Sequence, residues 1–193
     1  MAQASVGRQQ TEEAFLDAAE RLLVSVGHAG ITTRALAEEA GANHGLVHYY
    51  FGSMENLLAR VLERFTEGLI TRQRAMYAAP DVPFIDKWRT AIRYLDADRD
   101  YQKVWYELQA LAWNRPELRE RVAHVNAELR AVLTEAFAEP RERYGIAMPL
   151  DALVSLVITF NEGVMLERLS GMENGQSELF DWIDGWLQRK EDG

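Results

Sequence analysis

Imidazole and aromatic side chains are concentrated in one short stretch of the chain, residues 44–51, with the sequence HGLVHYYF. His44 and His48 are four residues apart, and Tyr49, Tyr50 and Phe51 follow directly. Two imidazoles at this spacing share one face of a helix, where they can bind a metal ion or hydrogen-bond to another molecule. Neighbouring aromatic rings equally suit a small buried core. The stretch therefore indicates either a recognition surface or a core with two incidental histidines.

A metal site at His44 and His48 is the alternative that we do not favour. Position 45 is glycine, so the glutamate of an H-E-x-x-H zinc protease is absent, and no third ligand lies nearby in the sequence. The chain has no cysteine, which excludes disulfides and thiolate metal sites. We therefore expect no metal and no cofactor.

The residues before this stretch predict a helix-turn-helix. Thr32 or Thr33 can cap a short helix over 33–40, because a hydroxyl oxygen there accepts a hydrogen bond from a first-turn amide. Gly41 can adopt the positive φ that ends a helix, and Asn43 can cap the next one. Two short helices joined by a three- or four-residue turn that contains glycine are typical of this motif. The expected inward-facing residues of the first helix are Leu36, Ala37 and Ala40.

The second helix of the motif divides its residues between two faces. Helical spacing places one group against the preceding helices: Leu46, Val47, Tyr50 and Phe51. The other group is left facing outward: His44, Gly45, His48 and Tyr49. The aromatic cluster is thus predicted to be part core and part surface.

The whole chain of 193 residues reads as all-α. Apolar residues recur every three or four positions, no alternating strand pattern competes, and all five prolines are expected between helices. We predict about nine helices, at 9–27, 33–40, 44–50, 54–78, 84–97, 101–113, 117–138, 150–170 and 177–190.

Charge and composition limit the class of protein. The formal net charge is −9, which argues against general binding of polyanions. The chain has neither the apolar run of a signal peptide at its start nor about 18 consecutive apolar residues anywhere. A cytoplasmic protein is the expectation.

The segment GITTRALAEEAGANHGLVHYYFGSMENLL resembles the DNA-binding signature of the TetR family of transcriptional regulators. The resemblance covers about the first 60 residues and includes the turn, the caps, the aromatic triplet and the following GSxExL. It implies a homodimer whose N-terminal three-helix DNA-binding domain, residues 1–53, precedes a larger helical domain, residues 54–193. The larger domain would bind a small-molecule effector and carry the dimer contact.

The resemblance also implies roles for single residues. The recognition helix would begin at Asn43, and His44, Gly45, His48 and Tyr49 would approach base edges in the major groove. Tyr50 and Thr33 stand at positions that contact phosphates in the family. Arg34 stands where some members read a guanine, and Arg8 would belong to an N-terminal arm that orders on DNA.

One position departs from the family pattern. Met54 follows GS where lysine is common, so a typical phosphate contact is missing. Residues 1–60 contain four arginines, no lysine and seven acids, a formal charge of −3. We expect weak binding to random DNA together with specific binding, and we expect Glu12, Glu13, Asp17 and Glu20 to point away from the duplex.

The C-terminal part offers weaker signals. Large rings and polar groups at inward spacings predict an effector pocket for a neutral or cationic molecule, lined by Trp88, Trp105, Tyr106, Gln109, Trp113, Phe160 and Asn161.

The helix over 150–170 is apolar on more than one side and needs cover on both. A dimer through this helix and the last one provides that cover, with the interface expected at Leu153, Val157, Val164, Leu179, Trp182, Ile183 and Trp186. An intrachain core is the alternative.

These observations predict a dimeric, ligand-responsive transcriptional regulator, and a repressor before an activator. Its partners would be a palindromic operator in double-stranded DNA, a second copy of itself and an unidentified small molecule. A TetR-like module with weakened DNA binding is the alternative. It is supported by Met54 and by the negative formal charge of residues 1–60, which we call the head. An enzyme is not expected, because no nucleophilic cysteine, phosphate loop or histidine–acid constellation is present.

Overall fold

The computed structural model describes the backbone of residues 2–193 and the side chains of residues 7–193. Over this range the chain forms nine α-helices, one 3₁₀ turn (His28–Gly30) and no strand. The helices are α1 (Ala2–Val26), α2 (Thr33–Ala40), α3 (Gly45–Phe51), α4 (Met54–Ala78), α5 (Phe84–Ala97), α6 (Arg99–Ala112), α7 (Pro116–Arg143), α8 (Leu150–Leu169) and α9 (Gln176–Glu191). The all-α prediction is confirmed. No helix in the described part of the chain is long and apolar enough to cross a membrane.

The chain divides into two compact units. Unit 1 contains the residues up to Glu67 together with Asp100–Val125, and unit 2 contains Gly68–Arg99 and Asn126–Gly193. The proposed domain boundary between residues 53 and 54 stays a prediction.

Unit 1 has a core of its own beneath the helix-turn-helix. Phe15 of α1 is fully buried and meets Phe51 of α3 edge-on, with ring centroids 6.2 Å apart. This is the arrangement that aromatic rings favour. The other large, fully buried apolar side chains of unit 1 are Leu16, Leu23, Leu36, Val47, Leu57, Leu58, Val61, Leu62 and Leu108.

Polar contacts attach α6 to the end of α1. The backbone N–H of His28 donates to a carboxylate oxygen of Glu107 over 2.6 Å. Lys103, one turn earlier on α6, donates to the carbonyl oxygen of Val24 over 3.2 Å. The carboxylate and the ammonium thereby satisfy backbone groups that the end of a helix leaves without partners.

The first part of α7 is attached to α4 by two ion pairs. Arg115 lies 2.7 Å from Glu55, and both side chains are about 40% exposed. Arg121 binds Glu63 through two nitrogens, at 2.6 Å each. The bidentate pair is the geometrically stronger of the two.

The core of unit 2 packs α9 against α5 and α7. Phe84, Trp88, Phe137, Tyr144, Val154 and Leu187 are among its buried members. Arg89 of α5 holds α9 with two hydrogen bonds to Asp184, at 2.7 and 2.9 Å. The hydrogen bonds and the charge of Arg89 lower the pKa of Asp184 despite its partial desolvation.

Glu191 closes the end of α9. Its carboxylate accepts hydrogen bonds from the Tyr144 hydroxyl, from the backbone N–H of Ile85 at 3.3 Å, and from Arg143 at 3.0 Å. Desolvation alone would raise the pKa of Glu191, but these donors and the Arg143 charge outweigh it and lower the pKa overall.

The position of Pro140 corrects one prediction. The sequence placed every proline between helices and ended this helix at residue 138, whereas α7 continues through Pro140 to Arg143. Proline removes one backbone donor from the helix, and the turn that follows is closed by the N–H of Tyr144, which donates to the carbonyl oxygen of Pro140 over 2.9 Å.

Candidate nucleic-acid interface

The turn between α2 and α3 has the cap and the glycine stop that the sequence predicts for α2, whereas the N-cap position of α3 is His44, which makes no side-chain cap hydrogen bond. The hydroxyl of Thr32 accepts the N–H of Ala35 over 3.1 Å and caps α2. Gly41 ends that helix with a φ of 63°, in the left-handed region that suits glycine. The side-chain carbonyl of Asn43 accepts the N–H of Gly45 over 2.9 Å and fixes the first turn of α3. The helix-turn-helix prediction is confirmed.

The helix α3 presents one face to the core and the other to solvent. Val47 is fully buried and Phe51 is 6% exposed, whereas Tyr49 is 66% exposed. Asn43, His44, Gly45 and His48 are exposed with Tyr49. The predicted outward group thus forms one continuous edge of α3, and its side chains are available to a partner.

The aromatic cluster is partly core and partly surface. The ring of Tyr50, which is half-buried, lies 6.3 Å from that of the buried Phe15. The ring of Tyr49 meets that of Tyr50 edge-on at 5.1 Å. Tyr49 is therefore exposed to solvent but packs on Tyr50, whose ring is held by the core.

Two arginines of α4 hold the acids of α1. These acids are Glu12, Glu13, Asp17 and Glu20. Arg64 lies 2.7–2.9 Å from three of the carboxylates, and Arg60 lies 2.9 Å from Glu12. Burial lowers the pKa of Arg64, but its hydrogen bonds to these carboxylates outweigh burial and raise the pKa overall. The two guanidinium charges thus offset about half of the four carboxylate charges of α1.

Arg8 and Arg34 are the exposed arginines of the head without an ion pair among the described residues. Arg34 follows the half-buried Thr33 in the first turn of α2, where backbone amides and the helix dipole attract anions. Arg8 lies within α1. The prediction that Arg8 belongs to an arm that becomes ordered only on DNA is therefore wrong, because the residue is helical in the structure without DNA. Met54 is half-buried at the first position of α4.

Neither His44 nor His48 belongs to a metal-binding cluster in the described part of the chain. Nδ1 of His48 lies 3.2 Å from the carbonyl oxygen of Gly52. Among the described residues, no group of three or more histidine, cysteine, aspartate or glutamate side chains could hold a metal ion.

Comparison with known proteins agrees with this geometry. Residues 15–61 match the family model described as "Bacterial regulatory proteins, tetR family", and residues 81–189 match that of a "Tetracyclin repressor-like, C-terminal domain". The chain belongs to the TetR family. It is a DNA-binding transcriptional regulator, with the helix-turn-helix in the first matched segment.

Single relatives of this TetR-family chain are distant. The transcriptional regulator BetI of Paraburkholderia xenovorans is 27% identical over 152 residues, 74% of this chain and 75% of the relative. A transcriptional regulator from Rhodococcus sp. RHA1 has a TM-score of 0.73 at 20% identity, covering 92% of this chain and 95% of its own. FadR from Bacillus subtilis, crystallised with stearoyl-CoA, has a TM-score of 0.72 at 15% identity, with coverages of 91% and 96%. The two structures show that the fold is shared.

The predicted effector residues of the TetR chain divide between the two units. Unit 1 contains Trp105, Tyr106, Gln109 and Trp113, and unit 2 contains Trp88, Phe160 and Asn161. Trp113 directly follows the last residue of α6 and is 71% exposed, which disagrees with its prediction as part of a pocket wall. Trp105 is buried, and Tyr106 and Gln109 are half-buried.

In unit 2, the ring of Trp88 lies 6.0 Å from that of Phe160. Asn161 is half-buried next to Phe160, and burial raises the pKa of the following residue, Glu162. Unit 2 also has a cleft of about 260 Å³, whose walls include Tyr77, Lys87 and Arg143 and none of the residues predicted for the pocket.

The predicted interface residues separate into three groups by burial. Leu153 and Val164 are buried in the core of unit 2, so they cannot form a surface between subunits without its rearrangement. Val157, Ile183 and Trp186 are half-buried against that core. Leu179 and Trp182 are 42% and 65% exposed. The exposed apolar surface of α8 is formed by Leu156, Leu166 and Leu169, which the prediction left out.

Proposed function

We propose that this chain is a dimeric repressor that binds a palindromic operator and leaves it when a small molecule binds. The observation that carries the proposal is the exposed edge of α3, held by a capped turn and a closed aromatic core. A helix in this position inserts its outward side chains into the major groove.

Within this surface, His44, Gly45, His48 and Tyr49 are proposed to read base edges. Arg34 is proposed to form the bidentate contact with a guanine, because its fork of donors is exposed and without an ion pair among the described residues. Thr33 and Tyr50 are proposed to contact phosphates, and Asn43 to fix the start of α3.

The proposal for the dimer rests on the exposed apolar side chains of α8 and α9. Leu156, Leu169, Leu179 and Trp182 are each at least 38% exposed. A second copy across a two-fold axis would cover them, and it would space two reading helices about 34–36 Å apart, as successive major grooves require. Sedimentation velocity at micromolar concentration tests this, and a stable monomer contradicts it.

The effector is proposed to bind beside the aromatic rings of the larger domain. Trp88 and Phe160 supply apolar walls, and the half-buried acid Glu162, two residues after Phe160, favours a neutral or cationic molecule over an anion. An effector releases the operator only if it binds the DNA-free arrangement more tightly than the DNA-bound one. Equilibrium dialysis against a panel of cationic, neutral and anionic compounds tests the class, and exclusive binding of anions contradicts it.

Footprinting on the DNA upstream of the protein's own gene tests operator binding. We expect a protected, two-fold symmetric region, and we expect His48→Ala to remove protection and Tyr49→Ala to weaken it, both without lowering the melting temperature. The alternative, a TetR-like binding module with weakened DNA binding, is favoured by Met54 and by the absence of lysine from residues 1–60. Retained ligand binding with no protection of any DNA fragment would support that alternative.

A further inference from the structure

Arg8 lies over the two tyrosines of the recognition helix. Its guanidinium carbon is 5.6 Å from the ring centroid of Tyr49 and 5.9 Å from that of Tyr50. Both distances fall within the range of about 6 Å over which a cation is attracted to an aromatic face. The contact therefore links α1 to α3 at the exposed edge of the head.

The rings give Arg8 a fixed place. Tyr50 packs 6.3 Å from the buried Phe15, and Tyr49 leans on Tyr50 at 5.1 Å. The backbone of Arg8 is held by α1, so both ends of its long side chain are restrained. Such restraint reduces the entropy that a flexible arm would lose on binding.

The donors of Arg8 remain available in this position. A cation–π contact is made with the face of an aromatic ring, so it does not pair the five N–H donors of the guanidinium with acceptors. No carboxylate lies within ion-pair distance of Arg8 among the described residues, whereas Arg21, Arg60 and Arg64 each hold an acid.

We propose that Arg8, held by Tyr49 and Tyr50, is a phosphate-binding residue of the DNA-reading surface. It supplies a cation next to α3, in a head whose position 54 is Met. A guanidinium fork matches two oxygens of a phosphate and carries no sequence information, so Arg8 sets affinity and register but not base preference. The inference rests on the proposed operator binding.

Titration of Arg8→Ala on operator and scrambled duplex at several salt concentrations tests the phosphate contact. We expect each duplex to bind about tenfold more weakly per contact, the lower end for a hydrogen bond to a charged group. The salt slope should fall by about 0.9 per lost contact. A loss confined to the operator, an unchanged slope, or no loss at all would overturn the inference.

Arg74→Ala is the matched control, because Arg74 is also exposed but lies in unit 2. It removes the same charge and should leave binding and slope within error of the wild type. If both substitutions weakened binding equally, Arg8 would act only through the net charge of the protein and not through a phosphate contact, which would refute the inference. Thermal denaturation of each variant verifies that the fold is kept.

A double-mutant cycle tests the role of the rings. Tyr49→Phe retains the aromatic face, so Arg8→Ala should cost the same in that background as in the wild type. Tyr49→Ala removes the face, and the cost of Arg8→Ala should then shrink at least threefold. Equal costs in both backgrounds would show that the rings do not position Arg8.

The two hypotheses fail differently. If the wild-type protein binds no fragment of its upstream DNA, the proposed function fails and this inference with it. If the wild type binds and Arg8→Ala binds equally well, only the role of Arg8 is refuted.

Discussion

Gly27→Ala tests how α6 fixes the end of α1. Gly27 has a φ of 71° and a ψ of 174°, a combination that is nearly restricted to glycine. A Cβ at this position would lie 3.0 Å from one carboxylate oxygen of Glu107, whose other oxygen accepts the N–H of His28 at 2.6 Å. The added methyl group therefore strains the backbone and pushes Glu107 away from its donor.

The two effects set the expected magnitude. A non-glycine residue in this region of φ and ψ costs about 1–3 kcal/mol. Loss of a hydrogen bond to a charged group costs about 1.5–3 kcal/mol, and the lower end applies because Glu107 is half-buried. With about 1.5 kcal/mol for each effect, Gly27→Ala should lower the free energy of unfolding by about 3 kcal/mol.

Urea denaturation of Gly27→Ala, Glu107→Ala and the double variant separates these effects. In a protein that already lacks the Glu107 side chain, Gly27→Ala has only its backbone cost. The loss in free energy of unfolding of the double variant should therefore be about 1.5 kcal/mol smaller than the sum of the two single losses. Gly145→Ala is the control, because Gly145 has a φ of 64° but an added Cβ would have no atom within 4 Å. This substitution strains the backbone without displacing a side chain. Its cost should add to that of Glu107→Ala. If the losses of Gly27→Ala and Glu107→Ala simply add, Glu107 does not respond to position 27 and the reasoning is refuted.

Four further outcomes are expected. Arg34→Ala should cost about 1–3 kcal/mol per half-site on the operator and little on scrambled DNA; equal losses in a gel-shift titration would make Arg34 a backbone contact. Met54→Lys should steepen the salt slope by about 0.9 per added phosphate contact on both duplexes, and an unchanged slope would place residue 54 away from the DNA. Because the pKa of Glu191 is lower in the folded state, its contribution to stability is full above the ordinary value of 4.5 and is lost as the pH falls through the folded-state pKa. Glu191→Gln should therefore make the urea midpoint depend less on pH below 4.5. Trp182→Asp should shift sedimentation toward the monomer without lowering the melting temperature, since the ring is 65% exposed, and an unchanged dimer would place the interface elsewhere.

The helix-turn-helix was predictable because its signals are local. Thr32, Gly41 and Asn43 act within three residues of their own positions, and the spacing from Leu46 to Phe51 assigns each side chain to a face. The bounds of α2, α4 and α5 match the predicted ranges for the same reason. Here the caps and the apolar periodicity agree at every step.

The faces of α8 were not predictable in this way. The helix is apolar on several sides, so periodicity alone could not distinguish Leu153 and Val164, which are buried, from Leu156, which is 53% exposed. The membership of α6 in unit 1 depends on contacts such as that of Glu107 with His28, 79 residues apart. A single sequence holds no local signal for such pairs.

The arginines of α4 that hold the acids of α1 have a consequence for how the regulator is distributed in a cell. Non-specific affinity grows with the number of phosphates neutralised, and Arg60 and Arg64 already bind carboxylates. A genome offers on the order of a million or more competing sites, which sequester any regulator with a strongly basic head. A DNA-binding region that keeps a negative formal charge, and whose α4 arginines bind its own carboxylates, should leave a larger share of the molecules unbound. We therefore expect fewer copies to suffice to fill one operator, and we expect the regulator to reach it mainly by diffusion through solution.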